Sequence, residues 1–260
     1  MAAVVEYDGT DFAGWQSQSH APSIQDAVQQ ALGFVAGHPV EVACAGRTDS
    51  GVHALAQVVH FDTSAVRAPR AWVLGANTRL PASVALQWAG DVAPDFHARH
   101  SALRREYRYC IVNRSARPAL QRLRATWIHR SIDVDAMQRA ADVLLGEHDY
   151  SAFRAAECQS KTPVRRIDSL RLTRSGDYVW ADIVANAYLH HMVRNIVGTL
   201  LEVQVAQDPA AAMRAILESR DRRQAGMTVP PQGLYLWHIT YAPHHGLPAA
   251  ADGLLLRPGG

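Results

Sequence analysis

The segment from Gly46 to Gly51 carries residue types that could do nucleophilic chemistry. It reads Gly-Arg-Thr-Asp-Ser-Gly, so Arg47 and Asp49 stand two positions apart. In an extended backbone these two side chains project to the same side, and a guanidinium beside a carboxylate keeps it ionised and oriented. The flanking glycines let a ligand approach the backbone, so Asp49 could attack an electrophilic carbon of a sugar or a base. On residue chemistry alone, a surface turn with a weak ion pair is the stronger explanation.

A second group combines an aromatic side chain with arginines. Tyr107 lies in an alternating stretch, residues 103–112, that predicts a β-strand. The arginines around it are Arg104, Arg105 and Arg108. An aromatic ring among arginines suits an unstacked nucleobase and its phosphates. A core-facing tyrosine on a strand with one solvated face fits these residues equally well.

Basic residues are concentrated in one window of a nearly neutral chain. The 260 residues include 26 basic and 24 acidic side chains, and Lys161 is the only lysine. Residues 96–130 hold nine arginines and one acid, Glu106, so the window carries a net charge of +8 and the rest of the chain −6. This asymmetry favours a polyanion-binding face, and a solvated arginine-rich surface explains it equally well.

Composition excludes several classes of protein. Hydrophobic residues make up 48% of the chain and charged residues 19%, which is typical of a globular protein and not of a disordered or fibrous one. We find no apolar run long enough to span a membrane and no signal peptide, so we expect a cytoplasmic protein. Three widely spaced cysteines disfavour a disulfide framework and a zinc knuckle, and suit a reducing compartment.

Hydrophobic periodicity predicts helices and strands in both halves of the chain. Helices are predicted over about 23–37, 69–77, 133–145 and 188–205, and from residue 209. Strands are predicted over 2–7, 40–45, 53–61, 84–88, 103–112, 166–173, 178–185 and 234–241. Ser23 with Asp26, and Gly37, are typical of the two ends of a helix. The predicted domains are 1–112 and 113–246, followed by a loose tail at 247–260.

Adjacent histidines at 190 and 191 raise the question of a metal site. On the predicted helix, neighbouring side chains point about 100° apart, so His190 and His191 would share one ion poorly. Tyr188, His191, Arg194 and Asn195 fall instead on one polar stripe of that helix. We expect a structural or RNA-facing stripe rather than a metal site. The common phosphate-binding and zinc-hydrolase motifs are missing from the sequence.

Six motifs occur in order along the chain. They are YDGT with FAGWQ at 7–16, CAGRTDSGVHA at 44–54, DFHAR with REYRY at 95–109, GEHDY at 146–150, HHMVRN at 190–195 and PPQGL at 230–234. In this order they resemble the TruA family of bacterial tRNA pseudouridine synthases, collinearly from about Ala2 to Tyr241. Ser50 departs from the pattern, because alanine is common there in the family.

The resemblance implies an enzyme that isomerises uridine to pseudouridine at positions 38, 39 and 40 of the tRNA anticodon stem–loop, with no metal or organic cofactor. Asp49 falls on the family's catalytic aspartate and Arg47 on the arginine that orients it. Tyr107 falls on the tyrosine that stacks on the target base, and Leu234 on an apolar residue of the pocket. The remaining candidate RNA contacts are Arg99, Arg105, His191 and Arg194.

The family's fold and partners follow by the same resemblance. The fold is α+β, with two similar subdomains that share a mixed, mainly antiparallel sheet flanked by helices, and with a basic cleft between them. The expected partners are tRNA and a second copy of the chain in a homodimer, with no membrane.

The enzymatic function leaves chemical alternatives open. The target uridine must be flipped out, and stacking on Tyr107 could return about 1–3 kcal/mol. Asp49 then forms an adduct at C1′ of the ribose or at C6 of the ring, and Tyr107 or water takes the C5 proton. A catalytically silent tRNA-binding or chaperone protein on the same fold is the alternative function, and the intact 46–51 loop argues against it. A retaining glycoside hydrolase needs a second carboxylate about 5 Å away, which no motif supplies.

Overall fold

The structure is a computed structural model that describes residues 1–248. Within these residues the chain forms five α-helices and a mixed sheet with ten strands, so the expected α+β class is confirmed. None of the helices in this range has both the length and the apolar character that a membrane crossing requires. The predicted tail at 247–260 lies, from residue 249 onward, outside the described residues.

Most of the predicted elements are present with ends shifted by a few residues. The helices are α1 (Ile24–Ala36), α2 (Pro69–Asn77), α3 (Val134–Asp142), α4 (Met192–Val203) and α5 (Pro209–Ser219). The strands are β1 (Ala2–Tyr7), β2 (Ala43–Cys44), β3 (His53–His60), β4 (Val84–Gly90), β5 (Arg104–Asn113), β6 (Thr126–Ile128), β7 (Gly146–Asp149), β8 (Val164–Ser175), β9 (Tyr178–Ala185) and β10 (Leu234–Thr240). The sequence did not predict β6 and β7, because three or four residues are too few to establish a period.

The first compact unit comprises Met1–Arg105 and the segment that begins at Tyr235. Its strands lie in the order β4-β1-β3-β10, and β2 pairs with β3. β1 runs antiparallel to β3 and β4, whereas β10 runs parallel to β3. α1 packs against α2, and α2 packs on β4. The C-terminal strand thus returns to this unit, so the unit differs from the predicted 1–112 domain.

Local sequence determines both ends of α1. The Ser23 hydroxyl accepts a hydrogen bond from the Asp26 amide at 3.1 Å, and Gly37 ends the helix in the left-handed conformation at φ +77°. Ile24, Val28 and Leu32 are buried on the face toward the core. The predicted caps of this helix are therefore confirmed.

The second compact unit comprises Glu106–Leu234 within the described range. Its strands lie in the order β5-β9-β8-β7, and β6 pairs in parallel with β5. β8 runs antiparallel to both β7 and β9. α3 packs on β8 and contacts α4 and α5.

The predicted helix over 188–205 is wrong at its N-terminal end, because α4 begins only at Met192. The preceding His191 adopts a left-handed conformation at φ +60°, which cannot continue a helix. The amide of His190 donates to the Cys158 sulfur at 3.3 Å, and its carbonyl accepts from the amide of Ala155 at 3.1 Å. These contacts hold the segment before α4 against another loop, which sequence periodicity does not reveal.

Candidate active site

Asp49 begins a β-turn between β2 and β3. The amide of Val52 donates to the carbonyl of Asp49 at 3.1 Å, and Gly51 has φ +76° at the third position of the turn. A left-handed residue at this position is typical of a type II turn and favours glycine. The side chain of Asp49 is half-buried and Arg47 is exposed. Pairing of Arg47 with Asp49 stays a prediction.

The centre of this loop is anchored by Thr48. Its side chain is buried, and its hydroxyl lies 2.7 Å from the hydroxyl of Tyr7 on β1. Its carbonyl accepts a hydrogen bond from the amide of Trp15 at 3.0 Å. Thr48 therefore points inward, while its neighbours in the loop are less buried: Asp49 is half-buried and Arg47 is exposed.

A buried glutamine fixes the N-terminal end of the loop. Gln57 on β3 is fully buried, and its amide nitrogen donates to the carbonyl of Gly46 at 2.5 Å. The amide of Gly46 donates back to the Gln57 side-chain oxygen at 3.4 Å. A buried amide in this position satisfies backbone groups that would otherwise lack partners, so it holds the loop in one conformation.

Gly14 packs directly against the backbone of the same loop. A Cβ built on it would lie 2.7 Å from the Thr48 carbonyl oxygen and 3.0 Å from backbone atoms of Asp49 and Ser50. Gly14 also has φ +99°, which favours glycine. The hydroxyl of Ser50 donates to the carbonyl of Phe12 at 3.1 Å. The Asp49 backbone is thus enclosed by the 12–15 segment.

Arg105 contacts two backbone carbonyls of the first unit. Its Nε and Nη2 donate to the carbonyl of Ala45 at 3.2 and 3.1 Å, and Nη2 donates to the carbonyl of Arg99 at 2.7 Å. Arg105 is half-buried, whereas the Arg99 side chain is exposed. The structure therefore gives Arg105 a bracing role beside the Asp49 loop, and its predicted contact with RNA stays a prediction.

Tyr107 is positioned on β5 by a neighbouring tyrosine. Tyr107 is buried, and its ring meets the ring of Tyr188 edge to face, with centroids 5.0 Å apart at 83°. The hydroxyl of Tyr188 donates to the carbonyl of Ile183 on β9 at 2.9 Å. An edge-to-face pair of this kind restrains the orientation of both rings.

Leu234 is held at the start of β10 by contacts to β5. The hydroxyl of Tyr109 donates to the carbonyl of Pro230 at 2.7 Å. A Cβ on Gly233 would lie 2.7 Å from the carbonyl oxygen of Cys110, so this segment lies close to β5. Leu234 itself is buried. The apolar pocket role of Leu234 stays a prediction.

The predicted polar stripe of Tyr188, His191, Arg194 and Asn195 does not exist as one helical face. Only the last two lie on α4, and Asn195 is fully buried. Arg194 donates through Nε to the carbonyl of Val229 at 2.8 Å. The rings of His190 and His191 lie 3.9 Å apart, so the expected 100° separation of these side chains is also wrong. The cause is the start of α4 at Met192.

The arginines of the 96–130 window do not all face solvent. Arg108 is half-buried in an ion pair with Asp182, which it contacts through Nε and, at 3.0 Å, through Nη2. Exposed arginines of the window are Arg99, Arg104, Arg114, Arg117, Arg122, Arg124 and Arg130. These exposed side chains are the candidates for phosphate contacts, because a guanidinium in a half-buried ion pair, such as that of Arg108, has fewer donors to offer.

Cys44 lies close to the loop and is a free thiol. Burial raises its pKa to about 11, against a smaller opposing effect of Arg47. The thiolate is the nucleophilic form of cysteine, so Cys44 is unreactive at neutral pH. Asp49 is therefore a better candidate nucleophile than Cys44.

Sequence reasoning missed the positioning contacts of Gly14, Gln57 and Tyr188, although Gly14 lies in one of the six motifs and Tyr188 belongs to the predicted polar stripe. A signal existed for Gln57, since it is a lone amide in the otherwise apolar central part of β3. Gly14 and Tyr188 occur in or beside the quoted motifs, but their contacts join segments distant in sequence. No local pattern predicts such pairings.

The chain is similar to known proteins over most of its length. The family described as tRNA pseudouridine synthase matches residues 3–101 and 140–242. Similar proteins include tRNA pseudouridine synthase A of Shewanella amazonensis (strain ATCC BAA-1098 / SB2B), 50% identical over 99% of this chain and 99% of the relative. The proteins of the same name from Shewanella sp. (strain W3-18-1) and Shewanella baltica (strain OS185) are 50% and 49% identical, each over 98% of both chains.

Proposed function

The chain belongs to the tRNA pseudouridine synthase family, and we propose that it isomerises uridine to pseudouridine at positions 38, 39 and 40 of the tRNA anticodon stem–loop. Conversion of tRNA uridine to pseudouridine follows from the family and its named relatives. No observation favours a catalytically silent protein. The observation that carries the proposal is the half-buried Asp49 at the head of a turn whose backbone is braced by Gly14, Gln57 and Thr48.

The reaction needs a nucleophile and a base, and it conserves all atoms. Asp49 forms an ester with C1′ or adds to C6, and the bond between N1 and C1′ breaks. The freed uracil turns and forms a bond from C5 to C1′, and Asp49 is released. The C5 proton leaves to a base, and N1 gains a proton, so the product is an isomer of the substrate. A carboxylate held by its backbone does not have to be reoriented at the moment of attack.

Five further residues are assigned supporting roles. Arg47, exposed on the same loop, is proposed to keep Asp49 ionised and oriented. Tyr107 is proposed to stack on the flipped base, and its edge-to-face contact with Tyr188 supports this role by restraining the ring. Leu234 is proposed to line the pocket. His191 and Arg194 are proposed to contact the RNA.

The direct test is release of tritium from a tRNA transcript labelled at uracil C5. Formation of the C5–C1′ bond must expel the label, so wild-type protein is expected to release it. A matched transcript with cytidine at positions 38 to 40 controls for site choice and should release none. Release of tritium from the cytidine transcript would refute positions 38 to 40 as the sites of modification. Absence of release from both transcripts would refute the isomerase function.

The exposed arginines of the 96–130 window predict a salt effect. Replacing Arg117 or Arg122 with glutamine removes one cation, so the protein should neutralise one phosphate fewer. The slope of log K against log salt should then be smaller in magnitude by about 0.7 to 0.9 for each variant. Filter binding of tRNA across a salt series measures this slope.

Arg223 provides the matched control for the salt series. It is exposed, lies outside the window and pairs with Asp221 at 2.8 Å. Arg223→Gln should therefore leave the slope unchanged. Equal slopes for wild type and several window variants would mean that this surface does not contact phosphate.

We also propose that the protein acts as a homodimer in the cytoplasm. The support is the family resemblance, in which tRNA can contact both subunits. Sedimentation equilibrium at the concentrations of the activity assay would measure the association state, and a purely monomeric active protein would contradict the dimer.

A further inference from the structure

Three histidines surround the turn that carries Arg99. The ring centroid of His97 lies 4.4 Å from that of His60 and 4.2 Å from that of His100. The Nδ1 atom of His60 accepts a hydrogen bond from the amide of Ala98 at 3.2 Å. The Nδ1 atom of His97 accepts from the amides of Arg99 and His100 at 3.1 and 3.3 Å. Two imidazole rings thus cap three consecutive backbone amides.

These contacts require neutral imidazole rings. An amide can donate only to a nitrogen that keeps its lone pair, so the ring proton of His97 and of His60 must lie on Nε2. Protonation of Nδ1 replaces the acceptor with a donor and removes the cap. Burial lowers the pKa of His97 and the pKa of His60. The nearby His100 lowers the pKa of His97 further, and His97 in turn lowers the pKa of His60. The other charged groups are Arg99 beside His97, and Asp62 and the N-terminal amine beside His60.

Arg105 connects the capped turn to the Asp49 loop. It donates to the carbonyl of Arg99 at 2.7 Å and, through two nitrogens, to the carbonyl of Ala45. Ala45 directly precedes Gly46, the first residue of the loop. All of these groups belong to the first compact unit. A continuous path of contacts therefore runs from His97 to the loop that holds the candidate nucleophile.

We propose that neutral His97 is a positioning residue, which acts through the Arg99 turn and Arg105 to hold the N-terminal side of the Asp49 loop. The inference rests on the proposed function and adds a proton-sensitive control of the same site. The capped conformation favours the neutral ring of His97. The cap is therefore fully formed above the ordinary histidine pKa of 6.5, and it is lost as the pH falls through the lowered pKa of His97. The rate of pseudouridine formation at saturating tRNA therefore declines on the acid side of neutrality.

The test compares tritium release at saturating labelled tRNA from about pH 5 to pH 8. In His97→Asn the side-chain oxygen can accept the amide two residues on, but it does not titrate. This variant should keep most of the wild-type rate at neutral pH and lose the acid decline. His97→Leu has no acceptor, so its rate should be about tenfold lower across the range. His20→Asn, at an exposed histidine outside the cluster, is the control and should keep the wild-type profile.

A double-mutant cycle tests the path itself. His97→Leu and Arg105→Lys act on the same contacts, so their losses in rate should be less than additive. Additive losses would contradict a path through Arg105. An acid decline that is unchanged in His97→Asn overturns the role of His97 and leaves the proposed function standing.

Amide hydrogen exchange decides the inference separately from activity. The amides of Arg99 and His100 should lose protection, relative to their intrinsic exchange rates, as the pH falls in wild type but not in His97→Asn. Absence of tritium release from wild type would refute the proposed function. Equal pH dependence of amide protection in the two proteins would refute the capping role of His97.

Discussion

Asp49→Asn is expected to lower tritium release by about 10⁴-fold or more, because a carboxamide has nearly the same shape as a carboxylate but is not a nucleophile. Binding of tRNA should survive within about threefold, since the turn is held by backbone contacts that do not involve the side chain. The carbonyl of Asp49 still accepts from the amide of Val52 in this variant. Single-turnover release and filter binding on the same labelled transcript measure the two quantities.

Ser50→Ala is the matched control for Asp49→Asn. It alters the adjacent residue and removes the hydrogen bond to the carbonyl of Phe12. Loss of this bond should cost about 1 kcal/mol of stability and leave the rate within about threefold of wild type. Turnover by Asp49→Asn at a rate near that of Ser50→Ala would exclude Asp49 as the nucleophile.

Gly14→Ala should damage both stability and activity. The new Cβ would stand 2.7 Å from the Thr48 carbonyl oxygen and 3.0 Å from the carbonyl carbon of Asp49, and backbone atoms cannot yield as a flexible side chain can. The left-handed conformation at φ +99° adds strain. We expect a loss of about 2–4 kcal/mol in the free energy of unfolding, and about 10- to 100-fold in rate at saturating tRNA.

Gly37→Ala separates crowding from backbone strain. Gly37 also has a left-handed conformation, at φ +77°, but a Cβ there would meet no atom within 4 Å. Gly37→Ala should lower the free energy of unfolding by about 1 kcal/mol and leave the rate of tritium release unchanged. Urea unfolding and tritium release on both variants give the comparison. If Gly14→Ala were as stable and as active as Gly37→Ala, close packing of the 12–15 segment would not position Asp49.

Features with a local physical cause were predictable from the sequence. The ends of α1 follow from Ser23 and Gly37, because a cap needs only the neighbouring amides. The hairpin between β8 and β9 follows from Gly176, which lies in the left-handed region at φ +56°. The loop from Gly46 to Gly51 was identifiable as a turn from its composition.

Some predictions were limited because a periodic pattern does not show what a segment packs against. The amphipathic pattern from 188 to 205 continues through His191, yet His190 contacts the 155–158 loop and α4 begins only at Met192. Asn195 has the composition of a surface residue, yet its side chain is buried with Phe153, Arg222 and Thr228 as hydrogen-bond partners. A buried amide is tolerated because these partners satisfy it.

The sequence by itself indicated the α+β class and most of the elements, since periodicity depends on residues close along the chain. Its six motifs, through the family resemblance, pointed to Asp49 as the candidate nucleophile. The tertiary structure decided which arginines are exposed and which brace the protein. Arg108 forms an ion pair with Asp182, 74 positions away, and Arg105 donates hydrogen bonds to the carbonyl of Ala45, 60 positions away. Residue type and spacing are the same for a guanidinium that contacts a phosphate and for one that contacts a half-buried carboxylate or a backbone carbonyl. Only the fold, by bringing distant backbone and side chains together, distinguishes them.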